Sequence, residues 1–469
     1  MDMGTGKTRV AIELVVRRWD RISKVVVCCP VSLKETWRRE IMKHVESPSV
    51  YVFGERTSSD RLPAADWYVV GLESISQSDR QTLALYELVD EQSMIIVDES
   101  GYIKNHRAVR TRRLLHIGKT ARYRLVLTGT PISNGVEDLF AQMKFLSPRI
   151  LGYRSFYAFA RNHLEYHPDY PGLVVETHNE DYLAARMRPY VFQVTKDEAL
   201  ELPEKIHERR YLSLTAEQEA LYEQAKEELL MRVDPFEISS RAIFRLFTAL
   251  QQITCGFWNR RVPDKVTDEF GMIHWPLDCS TLPQEHHYPD HERLGLLRDV
   301  LREISAREGE NEKVIIWARY HFCVREIARM LGAEYGPGAF SELHGDLSDA
   351  ERTQELDAWR ASCADGGRRF LIATPETGSH GLTLTEARYA VFYNNTFNYA
   401  DRLQAEDRIH RIGQTRRPTY IDLVCSGTID DRIMEALSKK EDVLRAFRAE
   451  VEAVKHQKGE ALEELATTL

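Results

Sequence analysis

Short apolar runs bounded by turn residues recur at 25–29, 67–70, 94–97 and 125–127, and residues 34–45 carry apolar side chains at helical spacing. Runs without alternation suit strands covered on both faces, so the pattern predicts a parallel α/β sheet. Asp98 and Thr128 directly follow two of these runs, at the carboxyl ends where open sheets place their ligands. The rhythm returns at 313–318, 370–374, 389–393 and 419–424, with helix-like stretches at 324–331, 350–359 and 401–411. Two similar α/β lobes are expected.

Between the lobes the rhythm is lost. Residues 215–233 and 241–253 read as helices, whereas 259–291 scatters Pro263, Pro276, Pro283 and Pro289 among polar residues and reads as an irregular connector. The expected organisation is a first lobe over 1–147, a helical insertion and connector over 148–290, and a second lobe over 291–469. A polar, Glu- and Lys-rich stretch after Asp430 reads as a solvated or lobe-bracing helix. Its acidic residues Glu450, Glu452, Glu460, Glu463 and Glu464 argue against a nucleic-acid contact there.

Composition narrows the class. With 63 basic and 72 acidic residues among 469, the net charge is -9, so any nucleic-acid site must be a local stripe. No window reaches the roughly 18 consecutive apolar residues of a bilayer span, and the first twenty residues have no apolar signal core, so no membrane partner is expected. Seven Cys, an odd number that includes the adjacent Cys28 and Cys29, point to a reducing intracellular setting, cytoplasm or nucleoid if the source is bacterial or phage.

The chemistry starts at Gly4-Thr5-Gly6-Lys7-Thr8, the end of a phosphate loop G-x-x-x-x-G-K-[ST], with Met1 where that pattern has its first Gly. Glycines let backbone N–H groups close around phosphates, Lys7 can reach the β and γ groups, and the Thr8 hydroxyl can bind Mg²⁺. A chance glycine-rich turn is the alternative for this loop alone. The apolar run 94–97 ends in Asp98 and Glu99, which divide the two carboxylate roles of phosphoryl transfer, holding Mg²⁺ and polarising the attacking water. Arg408 and Arg411, three apart in an expected helix, would share one face and could supply the basic finger.

These strings, taken in order, resemble the Swi/Snf-type ATPases of helicase superfamily two over nearly the whole chain. DMGTGKT resembles the family's first motif, VVVCCPVSLKETWRREI the next, DESGYIKN the acidic motif and LTGTPISN the coupling motif. QQITCGF resembles the end of the helical region, and KVIIWARY, LHGDLSDAER, ATPETGSHGLTL and QAEDRIHRIGQ follow the family order in the second lobe. The resemblance implies two RecA-like parallel-sheet lobes with a helical insertion, using ATP and Mg²⁺ to move along double-stranded DNA. A monomer is expected. It further implies that Gly4, Thr5, Gly6, Lys7, Thr8 and Gln404 bind nucleotide, that Thr8 and Asp98 hold Mg²⁺, and that Glu99, Arg408 and Arg411 are catalytic. Thr128, Thr130 and the position of Gly101 would couple nucleotide state to DNA grip. Pro30, Ser32, Lys34, Gly381 and Thr383 would meet the DNA backbone without reading bases.

Two departures stand out. Family members usually have His where this chain has Gly101, which is expected to weaken or reroute coupling. Only Met1, Asp2 and Met3 precede Gly4, too few for the strand that normally feeds a phosphate loop, so the chain reads as truncated or started late at its N-terminus. The alternatives are a catalytically weakened nucleotide-sensing DNA-binding subunit and an RNA helicase. Elsewhere, His274, Cys279, His286, His287 and His291 read as a solvated polar loop, with zinc as the alternative. The basic stretch 107–124 reads as a solvated helix face or a DNA-facing one. Trp37 reads as core packing, with stacking on a ligand as the alternative.

Overall fold

The computed structural model describes residues 1–132, 135–166, 174–230, 240–261, 266–267, 273–274, 284–375 and 382–439. Gly381 and Cys279, the side chain of His274, and the tail from 440 onward lie outside the described residues. Contacts divide the chain into one unit built from Met1–Leu202, with which Thr383 and His410–Gly413 also group, and a second built from Pro203 onward. The division falls inside the stretch read as the insertion.

In the first unit, β1 (Lys24–Cys29), β2 (Val50–Val52), β3 (Trp67–Gly71), β4 (Ser93–Asp98) and β5 (Tyr123–Leu127) form one sheet in the order β2-β3-β1-β4-β5. Every pairing is parallel. Val26, Cys28, Ile95 and Val97 point into one apolar cluster, and Val25, Val27, Cys29 and Ile96 into another, as continuous apolar strands require when both faces are covered. β1, β3 and β4 are buried almost throughout, but residues 123–126 of β5, at the sheet edge, stay half-exposed. Burial pushes the Cys28 thiol up to about 12, leaving it a packing residue. The helices that matter for the site are α1 (Lys7–Val16), α2 (Lys34–His44) and α3 (Asp138–Leu146).

The second unit carries β6 (Ile206–Leu212), β7 (Val314–Trp317), β8 (Phe340–Leu343), β9 (Phe370–Ala373), β10 (Tyr389–Phe392) and β11 (Thr419–Cys425), in the order β8-β9-β7-β10-β11-β6. These pairings too are all parallel. Its helices include α4 (Ala216–Leu230), α5 (Ser240–Thr254), α6 (Arg293–Glu308), α7 (His321–Tyr335), α8 (Asp349–Arg360), α9 (Tyr399–Glu406) and α10 (Ile429–Ser438). The α4–α5 pair packs with α10 around Phe247, Leu250 and Ile433. Each unit is thus a RecA-like parallel α/β lobe. No helix among the described residues is long and apolar enough to cross a membrane.

The expected helix over 401–411 is shorter in the structure. α9 stops at Glu406, and Arg408 and Arg411 follow it in turns, so they do not share a helix face. Tertiary bonds claim the carbonyls that a continuing helix would use. The Tyr420 hydroxyl donates to Glu406 O at 2.8 Å and Leu384 N to Arg408 O at 2.9 Å. Arg402, buried beside Asp422 and bonded to Glu406 Oε1 at 2.9 Å, fixes the last turn.

Candidate functional site

Residues 1–6 fold into a tight turn on which α1 begins. Gly6, the cap of α1, takes φ 86°, a left-handed conformation that suits glycine. No side chain caps the helix and no acidic residue occupies its first turn, so its leading N–H groups stay available to an anion. The Thr5 hydroxyl donates to Asp2 O at 2.7 Å, and Lys7 Nζ donates to Met1 O and Asp2 O at 3.3 and 3.0 Å. The lysine therefore rests against the loop whose phosphates it would hold. Met3 is buried against Gly129, where an added Cβ would come within 2.7 Å of Met3 Cγ, so the loop and the Thr128–Thr130 segment are in contact.

β4 delivers the carboxylates. Asp98, its last residue, is 7% exposed; Trp37 Nε1 on α2 donates to its Oδ2 at 2.8 Å and Glu99 N to its Oδ1 at 3.0 Å. Burial and the neighbouring Glu99 charge raise the Asp98 carboxyl to about 6, against the downward pull of the Trp37 bond and the Lys7 charge. Glu99 itself takes a left-handed backbone conformation, φ 51°, where the chain leaves the strand. The Asp98 carboxylate and the Thr8 hydroxyl are hard oxygen donors, and a carboxylate whose charge is disfavoured by burial is one a divalent cation would stabilise. The donor set fits Mg²⁺.

The acidic segment is also tied to the segment that follows β5. Ser100 Oγ donates to Gln142 Oε1 on α3 at 2.5 Å, and Gln142 Nε2 donates to Pro131 O at 2.8 Å and Asp138 O at 2.9 Å. Lys104 Nζ stands 3.6 Å from Asp138 Oδ2. Thr130 N donates to Thr128 Oγ1 at 3.0 Å, shaping the turn. A Cβ at Gly101 would meet nothing within 4 Å, so the link runs through Ser100 and Gln142 rather than through the side-chain position beside them.

The remaining expected residues are less uniform. Pro30 is buried and its carbonyl accepts from Leu33 N, Ser32 is exposed, and Lys34 Nζ donates to Phe53 O at 3.0 Å. Gln404 is half-buried on α9. Arg408 is 7% exposed in the second unit, whereas Arg411, whose Nη1 donates to Leu382 O at 3.0 Å, groups with the first. Trp37 and Gln142 were missed as site residues by sequence reasoning. For Trp37 a signal existed: an indole N–H buried on a helix needs an acceptor, and strand-end carboxylates are the nearest class. Gln142 offered none.

Comparisons with known proteins place the chain in a family. The SNF2-related domain model matches residues 1–256 and the helicase conserved C-terminal domain model matches 294–413. Among curated proteins, the TATA-binding protein-associated factor BTAF1 of Arabidopsis thaliana is 28% identical over 92% of this chain and 23% of its own length. The putative ATP-dependent helicase/translocase YwqA of Bacillus subtilis is 27% identical, covering 94% and 45%. The human DNA annealing helicase and endonuclease ZRANB3 is 26% identical, covering 94% and 38%. The chain thus spans less than half the length of these relatives. A solved Sulfolobus solfataricus SWI2/SNF2 ATPase core in complex with dsDNA is 23% identical, with a TM-score of 0.40 over 100% of this chain and 91% of that one. The chain belongs to the SNF2-related family, the Swi/Snf-type ATPases of helicase superfamily two.

Proposed function

We propose that this chain is a DNA-dependent ATPase, stimulated by duplex DNA, that translocates along the duplex and displaces or remodels what is bound there. The observation that carries the reading is the buried Asp98, oriented by Trp37 and within electrostatic reach of Lys7, with the left-handed Glu99 next to it in the chain. In this reading Gly4, Thr5, Gly6 and Lys7 hold the triphosphate, Thr8 and Asp98 hold Mg²⁺, and Glu99 orients and deprotonates the attacking water. Gln404 assists nucleotide binding, and Arg408 and Arg411 stabilise the charge that develops on the γ-phosphate. The Ser100–Gln142–Pro131 chain of bonds passes nucleotide state to the Thr128–Thr130 segment. Ser32, Lys34, Gly381 and Thr383 contact DNA phosphates, with Pro30 shaping the loop.

ATP turnover measured with duplex DNA, single-stranded DNA, RNA and no nucleic acid tests the proposal. Duplex stimulation is expected, falling steeply with salt because phosphate contacts release counterions. Stimulation by RNA alone would point to an RNA helicase. Nucleotide binding without turnover would point to a sensing subunit, the reading favoured by the open space at Gly101.

A second test follows from Asp98. A carboxyl raised in the folded state takes up a proton that the unfolded chain releases at lower pH. Mg²⁺ competes with that proton, so apparent Mg²⁺ affinity is expected to fall as pH drops through about 6. Trp37→Phe removes the bond that favours the charged form and should move this fall to higher pH, read by Mg²⁺ titration of ATP turnover at a series of pH values. An unmoved profile would detach Trp37 from the site.

A further inference from the structure

We propose that the second lobe carries a transition-metal site, fitted to Zn²⁺, formed by His321, His344 and Asp346, with Glu342 orienting His344. One ligand atom from each of the three lies within 4.8 Å of the others. A tetrahedral zinc ion with ligand distances of about 2.0–2.1 Å sets its ligands about 3.4 Å apart. The structure places Asp346 Oδ2 3.5 Å from His321 Nδ1 and 3.7 Å from His344 Nδ1. Two imidazoles and one carboxylate form a borderline donor set that suits zinc rather than Mg²⁺ or Ca²⁺.

The details of His344 support a ligand role over a surface ion pair. Its side chain is only 18% exposed, and its Nδ1, the atom facing Asp346, finds no hydrogen-bond partner among the described residues. A buried ring nitrogen without a partner is a feature that requires an explanation. Its other nitrogen, Nε2, faces Glu342 Oε2 across 4.0 Å, longer than a hydrogen bond, so that carboxylate would close in to orient a metal-bound imidazole.

The fold preorganises the three ligands. His321 opens α7 after β7, and His344 follows β8, so both leave the carboxyl ends of parallel strands of one sheet. Asp346 lies two residues beyond His344, in a loop whose far end is fixed by the Ser348–Glu351 capping box of α8. Arg352 Nη2 donates to Gly345 O at 3.2 Å, holding the middle of the loop. His321 and Asp346 are exposed, which leaves a route for the ion and an open fourth position. A bound ion would tie this loop to the start of α7. Among the described residues the other grouping of candidate ligands, Glu165, Glu176 and His178, differs: His178 Nε2 already bonds Glu165 at 3.1 Å.

The test is equilibrium dialysis of the full chain against Zn²⁺ alone, with metal counted per chain, alongside the visible spectrum with Co²⁺ in its place. One tightly bound ion, a tetrahedral Co²⁺ spectrum and a Tm raised by Zn²⁺ are expected. His344→Ala and Asp346→Asn should each abolish that ion. Glu342→Gln should weaken it by about 10–100-fold, and His178→Ala should leave it intact. With 16 His in the chain, loosely held zinc on other residues is anticipated, so binding that survives both ligand variants overturns the proposal. If a ligand variant does not fold, the wild-type spectrum decides, and an octahedral Co²⁺ spectrum or none refutes the site.

Discussion

Glu99→Gln is expected to lower kcat for ATP hydrolysis by about 10²–10⁴-fold, the usual contribution of a positioned general base, while nucleotide binding persists. The local geometry is the reason for expecting so large an effect from one atom's change. Glu99 holds a left-handed backbone, which costs a non-glycine residue about 1–3 kcal/mol and persists only where the surroundings enforce it. The enforcement is visible. β4 ends at Asp98, whose carboxylate accepts from Glu99 N and from Trp37 Nε1, and Ser100, fully buried, is held by Gln142. Both neighbours being fixed, the backbone at Glu99 is held in place, and the two adjacent carboxylates can do different work. Glutamine keeps the shape and hydrogen-bonding reach of Glu99 but cannot accept a proton. Lys7→Ala should fail differently, by losing nucleotide affinity as well as turnover. Steady-state turnover together with fluorescent-nucleotide binding separates the two, and wild-type turnover in Glu99→Gln would remove Glu99 from the reaction.

Much of this site was legible in the sequence because it lies where a covered parallel sheet ends. The runs before Asp98 and Thr128 have no polar interruption, so their strand identity and carboxyl ends could be placed within a residue or two. What could not be read has physical causes. β2 has three half-buried residues, too few for any period to show, and β8 reads FSEL, with a charge in the strand. β6, IHERRYL, is an edge strand whose alternating half-exposure tolerates charges, and it lay hidden in a stretch otherwise read as helical. The end of α9 was set by bonds from Tyr420 and Leu384, residues distant in sequence, which no local pattern announces. Gln142 is similar: its importance comes from the carbonyl and the hydroxyl that the fold brings to it.

Arg293→Met is expected to destabilise the second lobe by about 3–5 kcal/mol, the range for removing one partner of a buried ion pair. In the sequence Arg293 is one of many arginines, yet its side chain is 0% exposed. Its Nε donates to Thr254 O at 3.0 Å, its Nη1 to Tyr393 O and Leu423 O at 2.7 and 2.9 Å, and its Nη2 pairs with Asp430. Burial opposes the charge, but Asp430 together with the Cys255 and Tyr393 side chains more than offsets it and keeps the guanidinium protonated. One side chain thus joins the end of α5, the ends of β10 and β11, and the first turn of α10. Methionine would fill much of the volume but leave Asp430 buried beside no cation and three carbonyls without their donor. The double change Arg293→Met with Asp430→Leu should recover part of the loss, because it removes the stranded charge and leaves only the carbonyls unsatisfied. Arg293→Lys should fall between, since a single ammonium cannot reach all four acceptors at once. Thermal and urea unfolding followed by probes in each lobe would measure this, because two lobes need not unfold together. A change below about 1 kcal/mol in the single variant would mean that the network packs around Arg293 without depending on it.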